Sequence, residues 1–458
     1  MKPASANSSR AFRRRIRAYV TSLTVILIFA TGIRLAFAWD YTQQNSRQAL
    51  SIIPFTFEPG NIAASVARGQ GFSSPLRVPT GPTAWMTPVY PLLLATVFRY
   101  LGIYTFRSFV AAVLLNIIFA ALTCVPIYYA GERMGGAGLG AGAAWLWAIF
   151  PNAILIPFES MWDACLSALL AATILWATLA LAESRRVRDW CAYGLLWGLT
   201  LMTNPTFASL LPFLLAWLAY RAYRTYKEVL PWLLNPLLAL GVAILCCVPW
   251  TVRNHDVFHT IVPLRSTLGL QLSVGNNAQS TDAQTHLVHP LDNADERAKY
   301  IALGEIAYMR QKQQEAIAYM ESHPRRVANL SVHRFITFWT GGTPAPLKDF
   351  EQIHSAWFRY VLIFNIGAGI GAIVGIVLLL WRRSVFAFPL AVFPLVFPCV
   401  YYLSVAQPRY RLPIDPIVLL LTAIALASAF HWTARTDARS PRTDTPSNKT
   451  SRNRALAL

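Results

Sequence analysis

Apolar and polar residues follow each other along the chain in long blocks, and the apolar blocks have lengths that suit a bilayer. A membrane span needs about 20 apolar residues, somewhat fewer where neighbours cover its ends. On that measure the pattern predicts ten membrane helices, near 18–38, 106–130, 136–150, 160–182, 190–203, 206–220, 234–250, 357–380, 385–404 and 413–432. One more apolar stretch, PVYPLLLATVFRYLG from Pro88 to Gly102, is too short and too proline-broken to span, and reads as a helix lying in the interface. Two polar blocks stand out, 39–105 and 251–356. In the second, helical periodicity runs from Asp295, a candidate N-cap, to Pro324, and a further helix through Val327 and Phe335 to Trp339 leads back toward the membrane. No period of 20 to 50 residues repeats, which disfavours a solenoid.

Charge gives these blocks a direction. Basic residues cluster at the ends of apolar runs: Arg13, Arg14, Arg15 and Arg17, then Arg185, Arg186 and Arg188, then Arg221, Arg224 and Lys227, then Arg382 and Arg383. Lys and Arg mark cytoplasmic ends. With the N-terminus inside, an even number of spans returns the basic tail, Arg435 to Arg454, to the same side, and both polar blocks face outward. The expected organisation is a basic cytoplasmic N-terminus (1–16), a membrane module (17–250) that carries an outer first loop (39–105), an outer segment (251–356), C-terminal membrane helices (357–432) and a disordered basic tail (433–458). The first run ends in Ala36-Phe37-Ala38, as a signal-peptidase site would. Its full-span length, the interrupting Arg34 and the many spans that follow read as an uncleaved anchor.

Composition agrees. Of 458 residues 55% are hydrophobic and 13% charged, against about a quarter charged in soluble domains. The net charge of +19 would suit nucleic acid, but its placement at span ends makes it a topology signal and excludes that partner. Six cysteines, all in or beside apolar runs and without a Cys-x-x-Cys pair, read as buried free thiols.

The candidate chemistry lies on the outer side. Glu58 heads the amphipathic stretch EPGNIAASVARGQGFSSP, either as a helix N-terminal charge favoured by the dipole or as a general base. Glu159 and Asp163 sit at the outer end of the fourth span, where a carboxylate must be paired or wetted. His286 and His289, with Asp282 and Asp292 nearby, have a spacing that suits zinc but lack a third ligand at fixed distance, so no metal and no cofactor are expected. PRYRLPIDP carries Arg409, Tyr410 and Arg411 on an outer turn, and PWTVRNHD carries Arg253 at the same depth beside Trp250. Positive charge outside opposes the topology bias, and a lipid phosphate would answer it, as would Asp415 or ordinary headgroups. GGAGLGAGAAW, from Gly135 to Trp145, opens a membrane helix and follows no strand, so Gly138 and Gly142 read as helix packing and not as a nucleotide loop.

These stretches, with TGPTAWMTPVYPLLLA, GLLWGLTLMTNPT, PWTVRNHDVFHTIVPLRSTLGLQLSVGNN and EAIAYMESHPRRVANLSVHRFITFW, resemble in order and sidedness the GT-C fold glycosyltransferases of the family 39 and 83 type. That group includes dolichyl-phosphate-mannose protein mannosyltransferases and aminoarabinose transferases, and the resemblance covers roughly Arg17 to Trp432. It implies an all-α bacterial inner-membrane enzyme that takes a sugar from polyprenyl (undecaprenyl) phosphate to a periplasm-facing lipid, saccharide or protein acceptor. The acid of the first outer loop would be the base. Here that acid is Glu58, preceded by Phe57 where relatives often carry an Asp or an Asp-Glu pair, with Asp163 and Glu159 as alternatives. Arg253, Arg265, Asn276, Arg409, Tyr410 and Arg411 are the expected substrate-binding residues. A transporter or lipid-linked-sugar flippase is the rival reading, which would call for inverted repeats and mid-membrane polar breaks, whereas the named carboxylates and cations gather at the outer ends of spans beside one large outer segment. A non-catalytic assembly factor is a third reading, in which loss of Glu58 has no consequence.

Overall fold

The structure is a computed structural model that describes residues 20–159, 161–226, 229–280, 287–341 and 356–437. Among these residues every regular element is helical, and the one extended pairing is an isolated antiparallel bridge between Ser73 and Pro82. The first apolar run forms α1 (Leu23–Gln44). The polar block after it folds as α2 (Arg47–Ile52), a 3-10 turn (Ile53–Phe55), α3 (Glu58–Ala67) and α4 (Val89–Leu101). Next come α5 (Phe106–Leu122), α6 (Cys124–Gly135), α7 (Ala137–Ile149), α8 (Pro151–Glu159), α9 (Ala164–Leu181), α10 (Val187–Leu201), α11 (Leu211–Tyr226) and α12 (Val229–Phe258). The second polar block holds α13 (Leu268–Gly275), α14 (Ala294–Leu303), α15 (Glu305–Ser322) and α16 (Pro324–Thr340). The chain closes with α17 (Ala356–Trp381), α18 (Ala387–Val396), α19 (Cys399–Leu403) and α20 (Asp415–Asp437).

By length and composition five helices of the described residues can cross a membrane, or six if the bent pair α7 and α8 is one span. The runs expected at 190–203 and 206–220 fold as the 15-residue α10 and the 16-residue α11. Those at 385–404 and 413–432 fold as shorter apolar helices. α20 stays helical to Asp437, past the expected start of the tail; the rest of the tail and the N-terminal 1–16 lie outside the described residues. All six cysteines are free as expected, but only Cys124, Cys165 and Cys247 are buried; Cys191 and Cys246 are partly buried and Cys399 is exposed.

The bend of 45° between α7 and α8 has a definite cause. Pro151 and Pro157 have no N–H, so the carbonyls four residues before them, Trp147 and Ala153, lose their donors four residues on, and Trp147 O keeps only the Phe150 N–H at 3.3 Å. Arg34 of α1, with no exposed surface, supplies both: its Nε donates to Ala153 O at 2.8 Å and its Nη2 to Trp147 O at 3.2 Å. Nη1 completes the set at Ala30 O, 2.7 Å, and Ala148 O, 3.2 Å. The residue that interrupts the first apolar run is therefore a cap for a broken helix.

Glycine packing follows a different register from the expected one. Nothing lies within 4 Å of where a Cβ would stand on Gly138 or Gly142. The close crossing is between Gly131 of α6 and Gly140 of α7, where a Cβ on either would enter the other helix's backbone. The chain reverses between these helices at Gly136, whose φ of +81° favours glycine.

Outside the bundle, the single helix expected from Asp295 to Pro324 is two. It breaks at Gly304, and its cap is Asn293, whose side chain accepts the N–H groups of Asp295 and Glu296. α16 and α4 lie where expected, and α4 buries Tyr90, Leu94 and Phe98 while leaving Leu92 and Tyr100 exposed. At the opposite end, Arg133 pairs with Glu183 at 2.5 Å, and Tyr128 and Trp145 hydrogen-bond to Thr21 O and Val20 O. The turns around 133 and 183 thus share one end with the start of α1, away from the outer loops.

Candidate active site

The first loop, the α8–α9 connection and the segments around 265, 289 and 409 meet over a cavity of about 370 Å³. Three carboxylates line it, Glu58, Asp163 and Asp292, the last 3.9 Å from Arg77. Glu58 is the first residue of α3, followed by Pro59, whose missing N–H costs nothing in a first helical turn and whose ring fixes the entry. Gly60 is obligatory here, because a Cβ would collide with the Phe55 carbonyl that the 3-10 turn brings against α3. The Glu58 side chain is 7% exposed, and its Oε1 lies 3.4 Å from His289 Nε2. Asn61 pins the same turn by donating to Thr56 O and Pro75 O.

Asp163 stands opposite, at the start of α9, with Oδ2 accepting from Ser167 Oγ at 2.8 Å. Loss of bulk water raises its carboxyl above the ordinary range, against the pull of Ser167 and of the positive Arg265 and Arg409. Both arginines line the cavity. Arg409 lies on a 3-10 turn (Pro408–Tyr410), its guanidinium 4.1 Å from the centre of the Trp162 ring and 5.3 Å from that of Tyr410. Tyr410 in turn stacks on Tyr401 at 4.8 Å. The Arg409 Nε and the Trp162 Nε1 are buried without a hydrogen-bond partner. Among the described residues neither Arg265 nor Arg409 forms a salt bridge, so two cations flank the cavity with no protein carboxylate in contact.

The other expected site residues do not line it. Arg253 donates to Thr83 O at 2.7 Å and Phe72 O at 2.8 Å beneath the Trp250 ring, fastening the first loop to α12. Arg411 is buried, with Nε at 2.7 Å from Asp415 Oδ1 and Nη1 donating to Trp339 O and Asn365 O. Asn276 donates to Leu272 O and Leu403 O. Each makes its hydrogen bonds to the scaffold, although Arg411 Nη2 is buried without a hydrogen-bond partner. Glu159 ends α8 and is exposed, outside the cavity lining. His286 and Asp282 lie outside the described residues, and among those described no three His, Cys, Asp or Glu side chains gather to hold a metal.

Two groups that the sequence did not single out organise the cavity wall. Trp85 presents its ring edge-to-face to His289 and to Tyr300, at 5.8 and 5.7 Å. Glu305, buried at the start of α15, accepts from Thr83 Oγ1 at 2.5 Å, Ala84 N at 2.8 Å, Ser266 Oγ at 2.7 Å and Tyr300 OH at 2.8 Å. It thereby ties the first loop, next to Trp85, to the segment that carries Arg265. The only local hint of this is an acid directly after the helix-breaking Gly304.

Residues 86–252 match the sequence family described as Dolichyl-phosphate-mannose-protein mannosyltransferase. No curated protein matches the chain by sequence. Among solved structures, the oligosaccharyltransferase of Archaeoglobus fulgidus in complex with Zn and sulfate is similar over 91% of this chain and 50% of that one, at 14% identity and a TM-score of 0.53. The same archaeal enzyme, AglB, in complex with an inhibitory peptide and a dolichol-phosphate, is similar over 93% and 52%, at 13% identity and a TM-score of 0.51. ArnT from Cupriavidus metallidurans bound to undecaprenyl phosphate aligns over 90% and 81%, at 14% identity and a TM-score of 0.35. The chain spans about half the length of the archaeal enzyme. Its described residues, an all-helical bundle with loops folded over a charged cavity, have the fold of the GT-C family of membrane glycosyltransferases.

Proposed function

We propose that the protein is a glycosyltransferase of the bacterial inner membrane that moves a sugar from a polyprenyl phosphate to an acceptor on the periplasmic face. The observation that carries this reading is the pairing, in one cavity, of Glu58 and Asp163 with two cations, Arg265 and Arg409, neither of which forms a salt bridge among the described residues. A carboxylate at helix N1 with a free lone pair suits a general base; guanidinium groups suit a phosphate. In the proposed step Glu58 takes the proton from an acceptor hydroxyl or amine as that atom bonds to the anomeric carbon. The bond from that carbon to the phosphate oxygen breaks, its electron pair stays with the phosphate, and Arg265 and Arg409 stabilise the departing dianion. Asp163, which lines the same cavity, would orient the sugar. The similarity of residues 86–252 to the mannosyltransferase family supports this reading, as does the dolichol-phosphate held by AglB.

The test is turnover by purified protein in nanodiscs, supplied with a panel of undecaprenyl-phosphate hexoses and pentoses and with lipid, oligosaccharide and peptide acceptors, read as release of undecaprenyl phosphate. Glu58→Gln keeps the size of the side chain but cannot take the proton, so kcat should fall by about 10²- to 10⁴-fold with donor binding retained. Near-normal turnover by that variant would remove Glu58 from the chemistry.

A further inference from the structure

His289 belongs to the outer segment, far from Glu58 in the chain, yet its ring closes the cavity over that carboxylate. The Leu291 N–H donates to His289 Nδ1 at 3.2 Å. A ring nitrogen that accepts a hydrogen bond carries no proton, so the neutral imidazole keeps its proton on Nε2, the atom 3.4 Å from Glu58 Oε1. The turn that presents the ring is itself fixed. His289 O accepts from the N–H groups of Asp292 and Asn293, at 3.0 and 2.9 Å, and Arg297 Nη1 donates to Pro290 O and Leu291 O. Trp85 holds the ring edge-to-face, and the His289 side chain is 12% exposed.

We propose that His289 is a positioning residue for Glu58: its Nε2–H engages Oε1, which turns Oε2 toward the acceptor and fixes the carboxylate rotamer. This inference rests on the reading of Glu58 as the base. A glutamate has three rotatable side-chain bonds, and among the described residues no Lys or Arg forms a salt bridge that would orient this one. A neutral donor does so without a full opposing charge that would weaken the base. The separation of 3.4 Å is long for such a bond, as contacts of this kind often are before substrate closes the site. With Nδ1 occupied and Nε2 protonated, His289 has no free lone pair to accept the proton that Glu58 removes, so it is not a relay.

Two measurements test this, and only the second needs a substrate. In protein labelled with ¹⁵N-histidine, the His289 resonances, assigned by their loss in His289→Gln, should show the neutral Nε2–H tautomer, and the Nε2 signal should shift in Glu58→Gln. An Nδ1–H tautomer, or indifference to Glu58→Gln, overturns the proposal whether or not any donor is turned over. With the best donor of the undecaprenyl-phosphate panel, His289→Leu should lower kcat about 10- to 100-fold at nearly unchanged donor KM, the usual size for loss of an orienting partner. His289→Gln, which retains an N–H donor, should recover most of that loss. In the Glu58→Gln background His289→Leu should have little further effect, because the group it orients is already gone. A full kcat in His289→Leu, or equal losses in His289→Leu and His289→Gln at equal stability, refutes the positioning role while leaving Glu58 as the base.

Discussion

Arg34→Leu removes a cation from the inside of the helical bundle, and hydrophobicity alone would count that as a gain. The hydrogen bonds lead to the opposite expectation. With the guanidinium gone, Ala153 O loses a donor that Pro157 cannot replace, while Trp147 O keeps the Phe150 N–H at 3.3 Å. A buried acceptor left unmade costs about 1–3 kcal/mol, so the substitution should cost about that much. Equilibrium unfolding in mixed micelles of mild detergent and SDS should register a loss of that size. Arg34→Lys should rescue little, since an ammonium cannot fork between carbonyls on two sides of a helix break. The reasoning is sharpest in a double-mutant cycle. Pro157→Ala restores an N–H four residues after Ala153, so in that background Arg34→Leu should cost about 1–3 kcal/mol less. Additive losses in the cycle, or an Arg34→Leu protein as stable as the wild type, would refute the capping account.

The remaining predictions concern the cavity and its sidedness. Arg265→Ala and Arg409→Ala should each raise the KM for the lipid donor about tenfold or more, since a hydrogen bond to a charged group is worth about 1.5–3 kcal/mol. Arg411→Ala, by contrast, should lower stability through the stranded Asp415, and donor kinetics unchanged in the first two variants would leave them as headgroup contacts. Asp163 has its carboxyl raised in the folded state, so the folded protein holds that proton more tightly than the unfolded chain. The stability this gives is complete below the unfolded pKa and is lost as pH rises toward the folded value. Asp163→Asn should therefore be more stable than wild type at neutral pH, with the difference vanishing in acid; pH-dependent melting checks this, and a constant difference would contradict it. Gln314→Cys, exposed on α15, should react with an impermeant maleimide in spheroplasts on a cysteine-free background, whereas Arg186→Cys should not. The reverse pattern would invert the topology.

What the sequence by itself determined is whatever depends on neighbours along the chain. Run lengths and periodicity located the helices, including α4 and α16, and the order of the motifs pointed to the GT-C fold. Sidedness of charge put Glu58, Asp163 and the outer arginines in one compartment of expectation. Gly304 and Asn293 act within a few residues, yet the reading of one helix from Asp295 to Pro324 missed both the break and the cap. The tertiary structure decided which of the charged residues face the cavity. Arg409 and Arg411 are two residues apart, yet the first lies on a 3-10 turn over Trp162, while the second enters the bundle toward Asp415, one helical turn on. Gly131 and Gly140 form the close crossing in place of Gly138 and Gly142. His289, legible only as half of a metal pair, meets Glu58 because α3 and the outer segment fold over the same cavity. Pattern in a sequence reports the preferences of a residue and its near neighbours. Which cation is spent on the scaffold and which is left for a ligand depends on partners brought together only by packing, because a guanidinium is satisfied by whichever carbonyl or carboxylate the fold delivers to it.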